Sequence, residues 1–311
     1  MTAPTSNTDR LFFDLAPRVK LRVTGADCMR FLNGQITNDI RKASETHAIE
    51  ACVLNAKGKM EAHLFVHAQG DSFLIDTDPA LEPGLQARLE RYVIAYDVQI
   101  EDVTSRFSVF HLHGALVPNV PGEVQVISSD RFSFSGHDIW AEANQHDQIA
   151  GELAKGFNHC NDDCAEQLRI EQGIPRWGRE LTPEIIPVEA DLEHRCIDYE
   201  KGCYIGQETI SRMKMSGQRN KQLCGLVSLA GVSLAPGMRL VAGQGGPIDP
   251  KRPEEQAKDA GWITSVARRG CREIGLGYVK RGLNQVGTRL RAVSGKGARA
   301  DVEVTGLPFS H

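Results

Sequence analysis

The segment Lys201-Gly-Cys-Tyr-Ile-Gly-Gln-Glu208 stands out on chemical grounds. Gly202 and Gly206 bracket a cysteine and a tyrosine, so the backbone can turn tightly there or approach a ligand closely. Cys203 follows a lysine and precedes a predicted helix over 208–213, a position where the N–H groups of a helix start favour negative charge. Gln207, Glu208 and Arg212 add an amide, a carboxylate and a guanidinium, groups able to read a polar heterocycle or its glutamate tail. The plainer alternative is a glycine-framed turn around a buried cysteine. Residue types alone leave both open.

Composition narrows the classes. A chain of 311 residues predicts two or three compact units rather than one core. Its 41% hydrophobic and 24% charged content is ordinary for a globular protein. A net charge of −4 provides no field that would draw in nucleic acid or an anionic membrane. Arg212, Lys214, Arg219 and Lys221 do fall close together, and that run reads as a solvated linker. Residues 1–9 are polar, with neither the apolar core of a secretory signal nor an Arg-rich amphipathic stretch. No run approaches the roughly 18 apolar residues needed to cross a bilayer. A cytoplasmic monomer is expected, with no membrane and no direct nucleic-acid partner.

Eight cysteines are too sparse for a disulfide framework, and a cytosolic chain would keep them reduced. The nearest pair, Cys160 and Cys164, would share one face if that segment is helical. No second pair or suitably spaced histidine completes a zinc site around it, and His47, His63 and His67 are too loosely spaced for one. No metal site is expected.

Periodicity supplies the elements that must position these groups. Residues 20–23, 51–54, 63–67, 72–76, 98–103 and 108–112 read as strands. Helices are predicted from Cys28 to about Asn33–Gly34 and over 81–92, 145–155 and 164–172. A further strand pair is expected at 124–127 and 132–134. From Leu223 onward the texture changes to short apolar strands at 223–229, 239–241, 262–267 and 274–279, separated by glycines and Pro236. That pattern suits a small antiparallel sheet or barrel, with Gly243 to Lys258 as a long surface loop. The whole reads as α+β rather than as a doubly wound parallel sheet.

The segment from Lys201 to Glu208, with Arg212 four residues on, resembles the signature of the YgfZ-type folate-binding proteins. Mitochondrial relatives of that family assist the maturation of iron–sulfur enzymes. Arg169-Ile-Glu-Gln-Gly-Ile-Pro175, Gly178-Arg-Glu180 and Pro187-Val-Glu-Ala190 are similar to the pattern of the wider glycine-cleavage T-protein (GcvT-like) superfamily. Gly25 to Asp39 resembles its first strand–helix unit. Gly261-Trp-Ile-Thr-Ser265 and Ile274-Gly-Leu-Gly-Tyr-Val279 resemble its C-terminal barrel. The likeness covers nearly the whole chain.

It implies a split N-terminal α+β region over 1–215 around a central folate channel, with a second subdomain at roughly 50–110. A small C-terminal antiparallel β-barrel follows over 222–311. It also implies tetrahydrofolate or a derivative as cofactor. The contacts would come from Lys201, Gly202, Tyr204, Gly206, Gln207, Glu208, Arg212, Arg169 and Glu189, with Cys203 as the functional thiol.

Two departures bear on activity. T-proteins carry a Gly-Gly-Ile-Ile-Asp-Asp stretch whose second Asp supports aminomethyl transfer. Here Gly58-Lys-Met-Glu-Ala-His63 puts a histidine there, and neutral imidazole cannot supply a fixed negative charge. Glu61, on the same strand face if the strand is regular, is the candidate substitute. T-proteins also hold the pterin with a Glu beyond the stretch matched by Arg131-Phe-Ser-Phe-Ser-Gly136. The aligned residue is Ala141, with Glu142 beside it, and a one-residue shift turns a side chain to the opposite face.

The implied function is a tetrahydrofolate-binding accessory protein that supports assembly or repair of iron–sulfur enzymes and affects tRNA modification indirectly. Its partners would be iron–sulfur enzymes or assembly factors. The competing reading, a folate-dependent aminomethyltransferase, needs the carboxylate that His63 replaces. A third, an RNA-modifying or RNA-binding module, has no RNA-binding motif behind it. Cys203 would act as a nucleophile, a redox-active thiol or a transient ligand to a metal or partner. No second cysteine stands at iron–sulfur spacing, so a stable cluster on this chain alone is not expected.

Overall fold

The computed structural model describes residues 10–114, 117–132, 135–229, 232–242, 258–295 and 297–309. Two compact units divide the chain. One comprises the residues up to Ala165 together with Glu193–Ser211, the other Glu166–Leu192 together with the residues from Arg212 onward.

The first unit holds β1 (Leu11–Asp14), β2 (Val19–Thr24), α1 (Cys28–Gln35), β3 (Ile49–Leu54), β4 (Met60–Gln69), β5 (Ser72–Thr77) and α2 (Glu82–Glu90). It continues with β6 (Gln99–Asp102), β7 (Phe107–His113), β8 (Val124–Ser128), β9 (Gly136–Glu142), α3 (His146–Leu153) and β10 (Asn158–His159). The helix α4 (Asp162–Glu171) begins here, and α5 (Glu193–Cys196) returns to it.

The strands form two five-stranded sheets, ordered β3-β4-β5-β2-β6 and β10-β1-β7-β9-β8. Only β1 and β10 pair in parallel; the other described ladders of these sheets are antiparallel. Alternation along the strands buries one face of each sheet against the other: Leu74, Val109, Ile127 and Trp140 meet in one apolar cluster. The opposite face of the second sheet is covered by α3, whose Ile149 and Leu153, one turn apart, pack on Phe110, Ile139 and Ala141.

A buried ionic tie also joins the sheets. Arg131 donates to Asp76 on β5 at 2.5 and 3.0 Å and to Asp138 on β9 at 2.7 and 2.8 Å, and Asp138 also meets His111 Nδ1 at 2.8 Å. Burial opposes the charge on both carboxylates, but the Arg131 guanidinium outweighs it and holds them below their ordinary range.

The second unit is a closed antiparallel barrel, as expected. Its strands are β11 (Lys221–Ser228), β12 (Arg239–Ala242), β13 (Lys258–Arg269), β14 (Arg272–Lys280), β15 (Arg289–Val293) and β16 (Arg299–Thr305), in the order β11-β14-β13-β12-β15-β16. Leu226, Leu240, Ile263, Leu290 and Val302 belong to the core inside it. The short strands β15 and β16 escape the sequence reading. Glu166–Leu192 joins the barrel unit, so the expected region 1–215 is interrupted. Arg169 and Glu180 both bond Ser265 on β13, and Tyr278 on β14 donates to the Glu180 carbonyl at 3.0 Å. The α6 helix (Gln207–Ser216) runs across the division.

Three local expectations change. The partner of β8 is β9 at Gly136–Glu142, with Ser129 N–H bonded to the Gly136 carbonyl; of the strand expected at 132–134, residues 133–134 lie outside the described residues. The expected surface loop also lies outside them over 243–257, and Lys258 already starts β13. Finally, Cys160 and Cys164 are joined as a disulfide, against the expectation of reduced thiols. Cys160 precedes α4, and the Cα atoms stand 5.2 Å apart, inside the range a disulfide spans. Among the described residues no helix is long and apolar enough to cross a membrane.

Candidate functional site

The loop 201–206 is held from below while Cys203 stays exposed. Lys201, only 5% exposed, donates from Nζ to the carbonyl oxygens of Asn33, Ile36 and Asn38, each at 2.7 Å. These include carbonyls at the end of α1 that the helix itself leaves without partners. Burial pulls Lys201 down to about 8, with Asp39 and Asp198 opposing. With three carbonyl acceptors around it, the side chain is an ammonium at neutral pH. Tyr204 is buried beside it, its ring 5.1 Å from Nζ. Gly206 has a φ of 87°, and a Cβ there would lie 2.7 Å from the Asn55 carbonyl. Gly58 on the facing turn has a φ of 75° and lies against Thr209 of α6. Glycine is therefore required at both positions. The motif sets Cys203 on an anchored loop directly ahead of α6.

A second cluster lies on β3 and β4. In the antiparallel register Cys52 faces His63 and Glu50 faces Phe65, so these four side chains share one face of the ladder. Cys196, at the end of α5, joins them. His63 Nε2 is 2.7 Å from Glu50 Oε1, and His63 also bonds Cys196, which in turn bonds Cys52. Arg195 clasps Glu50 with two bonds of 2.7 and 2.9 Å.

Burial alone would lower His63, but its bonds to Cys196 and Glu50 and the Glu50 charge lift it to about 9. For Glu50 burial works upward, and Arg195 followed by His63 brings it down to about 2. Burial, then the neighbouring Cys52, pushes Cys196 well above an ordinary thiol. Near neutrality the set is an imidazolium, a carboxylate, a guanidinium and a neutral thiol. Glu50 and Arg195 also wall a pocket of about 310 Å³, together with Asn38, His47, Phe65 and Asp130.

Comparison with known proteins agrees with this architecture. The family model for the GCVT N-terminal domain matches residues 7–139. The "tRNA-modifying protein YgfZ" of Shigella dysenteriae is 30% identical over 222 residues, covering 65% of this chain and 67% of the relative. The chain belongs to the YgfZ family of GcvT-like proteins.

The mitochondrial "iron-sulfur cluster assembly factor IBA57 homolog" of Dictyostelium discoideum is 23% identical over 282 residues, covering 78% of this chain and 68% of the relative. The chain spans about two thirds of the length of these curated relatives. A glycine cleavage system aminomethyltransferase T from Bartonella henselae shares the fold, with a TM-score of 0.79 over 97% of this chain and 86% of that one at 17% identity.

Seen as a YgfZ-family chain, the predicted site residues separate. Cys203, Gly202, Glu208 and Arg212 are exposed, and Gln207 is half-buried at the start of α6. Lys201, Tyr204 and Gly206 are turned inward to build the loop. Arg169 is buried, bonding Glu166, Glu180, Ser265 and the Ile174 carbonyl. Glu189 accepts from Ile186 N–H and pairs with Lys221 at 3.0 Å. None of the nine predicted folate contacts lines the described pocket.

Where the resemblance sets an Asp, His63 is not met by Glu61, which is ion-paired with Arg88. The carboxylate that reaches His63 is Glu50, from the neighbouring strand. Ala141 is buried against α3, and Glu142 is exposed at the strand end, on the opposite side. Sequence reasoning missed Glu50, Arg195 and Cys196. The one usable signal was an acid and a thiol two apart, Glu50 and Cys52, at the start of the strand predicted over 51–54.

Proposed function

We propose that this chain binds tetrahydrofolate or a close derivative and serves the assembly or repair of iron–sulfur enzymes, with tRNA modification affected through them. Cys203 is the working thiol. The observation that carries this reading is an exposed cysteine on a loop whose neighbours Lys201, Tyr204 and Gly206 are all anchored. Such a thiol is presented at a fixed place to a partner, where it can act as a nucleophile, a redox group or a transient ligand to transferred iron. The names of the Shigella and Dictyostelium relatives agree with that assignment.

For the folate, the pocket offers an amide from Asn38, a carboxylate from Glu50 and a guanidinium from Arg195 around the ring of Phe65. These are the donors, acceptors and apolar surface that a planar pterin requires. Aminomethyl transfer is disfavoured, since an imidazolium at His63 puts positive charge where a T-protein has a carboxylate.

The test has two parts. Calorimetric titration of the reduced protein with tetrahydrofolate should give micromolar binding, about −8 kcal/mol; absence of binding would refute the folate assignment. Cys203→Ala should keep that affinity within about twofold yet fail to restore iron–sulfur enzyme activity in a strain lacking the protein. Full restoration would refute the role of the thiol.

A further inference from the structure

We propose that Glu50, His63 and Cys196 form a binding site for a zinc-class divalent cation, built on the β3–β4 ladder and closed by α5. The proposal does not involve Cys203, and it shares Glu50 with the pocket assigned to folate. One oxygen, one nitrogen and one sulfur ligand atom converge, all within 4.8 Å of one another. Closing them onto an ion at bond lengths of about 2.0–2.3 Å requires side-chain adjustments of the order of 1 Å. Thiolate, imidazole and carboxylate form a mixed set that suits Zn²⁺ and leaves a fourth tetrahedral position.

Register explains why the three meet. Glu50 and His63 share one face of two paired strands, and Cys196 is held over it because Thr37 bonds both the Cys196 carbonyl and the Cys52 N–H. The outer shell is also present. Arg195 holds both Glu50 oxygens, Oε2 at 2.7 Å and Oε1 at 2.9 Å, and so fixes the carboxylate with Oε1 toward His63, as outer partners orient ligating carboxylates. Glu50 belongs to the pocket wall as well, so an ion arriving from the pocket meets its first ligand there.

A thiol must lose its proton to ligate, so binding releases the Cys196 proton, and any proton on the ligating His63 nitrogen, to solvent. The hydrogen bond of 2.7 Å between His63 and Glu50 is replaced by two bonds to the ion.

The experiment uses the full chain, reduced, stripped by chelator and titrated with Co²⁺ without oxygen. One equivalent should produce a thiolate-to-cobalt absorption band and intense tetrahedral visible bands, both erased by Zn²⁺. Cys203→Ser and Cys164→Ser should leave the titration unchanged, which separates this site from the exposed cysteine and from the opened disulfide. Cys196→Ser and His63→Gln should weaken binding by about 100-fold or more, since loss of an outer partner alone costs 10–100-fold. Glu50→Gln, which keeps the side-chain shape, guards against a Cys196 variant that fails to fold, and it should also weaken binding. Absence of the bands in the wild type, or their persistence in Cys196→Ser or Glu50→Gln, would overturn the proposal.

Discussion

Replacing Lys201 by methionine isolates the ammonium from the bulk of the side chain. Methionine fills nearly the same volume, so the cavity term is small. What disappears is one charge donating three bonds of 2.7 Å to the carbonyls of Asn33, Ile36 and Asn38. Hydrogen bonds to a charged group contribute about 1.5–3 kcal/mol each, a gross of about 5–9 kcal/mol. Methionine also escapes the burial that draws Lys201 from 10.5 to about 8, a penalty of about 3 kcal/mol. The remaining loss is about 2–6 kcal/mol, and it falls on the end of α1 and the loop under Cys203.

The assay is native-state hydrogen exchange of the α1 and 201–206 amides, read beside the rate at which a thiol reagent labels Cys203. A loss of 2 kcal/mol accelerates local exchange about 30-fold, and labelling should rise with it. Acceleration of less than about threefold would refute the structural role assigned to Lys201. Unchanged exchange together with lost folate affinity would instead return Lys201 to the ligand contact that the family resemblance implies.

Two further outcomes follow from single residues. His67 is buried against Trp140, with ring centroids 4.7 Å apart, and burial lowers it to about 4 while Asp76 and Asp138 oppose and Arg131 assists. The unfolded chain takes up a proton at that histidine near 6.5 that the native state refuses until about 4. Stability should therefore fall through that window by about 3 kcal/mol as pH drops; His67→Gln should flatten the slope of urea midpoint against pH, and an unaltered slope would contradict the assignment. The two glycines of the motif should respond differently. Gly206→Ala, with its positive φ and the Asn55 carbonyl 2.7 Å from the new Cβ, should cost about 1–3 kcal/mol. Gly202→Ala, whose Cβ would meet nothing within 4 Å, should stay within about 0.5 kcal/mol of wild type in the same urea titration.

The helix of Cys28–Gln35, the strands of the first sheet, β7 and β8 of the second and the barrel texture beyond Leu223 were legible in the sequence, because an amphipathic period sets both the element and its buried face. A tight glycine-framed turn around Cys203 was legible as well, though only the structure shows that 206 rather than 202 requires glycine. Only the tertiary structure decided which groups those elements bring together. Lys201 is polar by type, and nothing near it in the chain shows that three carbonyls around the end of α1 will claim its ammonium. Glu61 was the nearest acid to His63 along the strand, yet Arg88 of α2 took it, and strand pairing delivered Glu50 instead. Arg169 and Glu189 looked like ligand contacts until the fold gave them Glu180, Ser265 and Lys221. Local periodicity sets a residue's direction from its own strand or helix, whereas the partner it meets depends on strand register and chain closure, which no short stretch of sequence encodes.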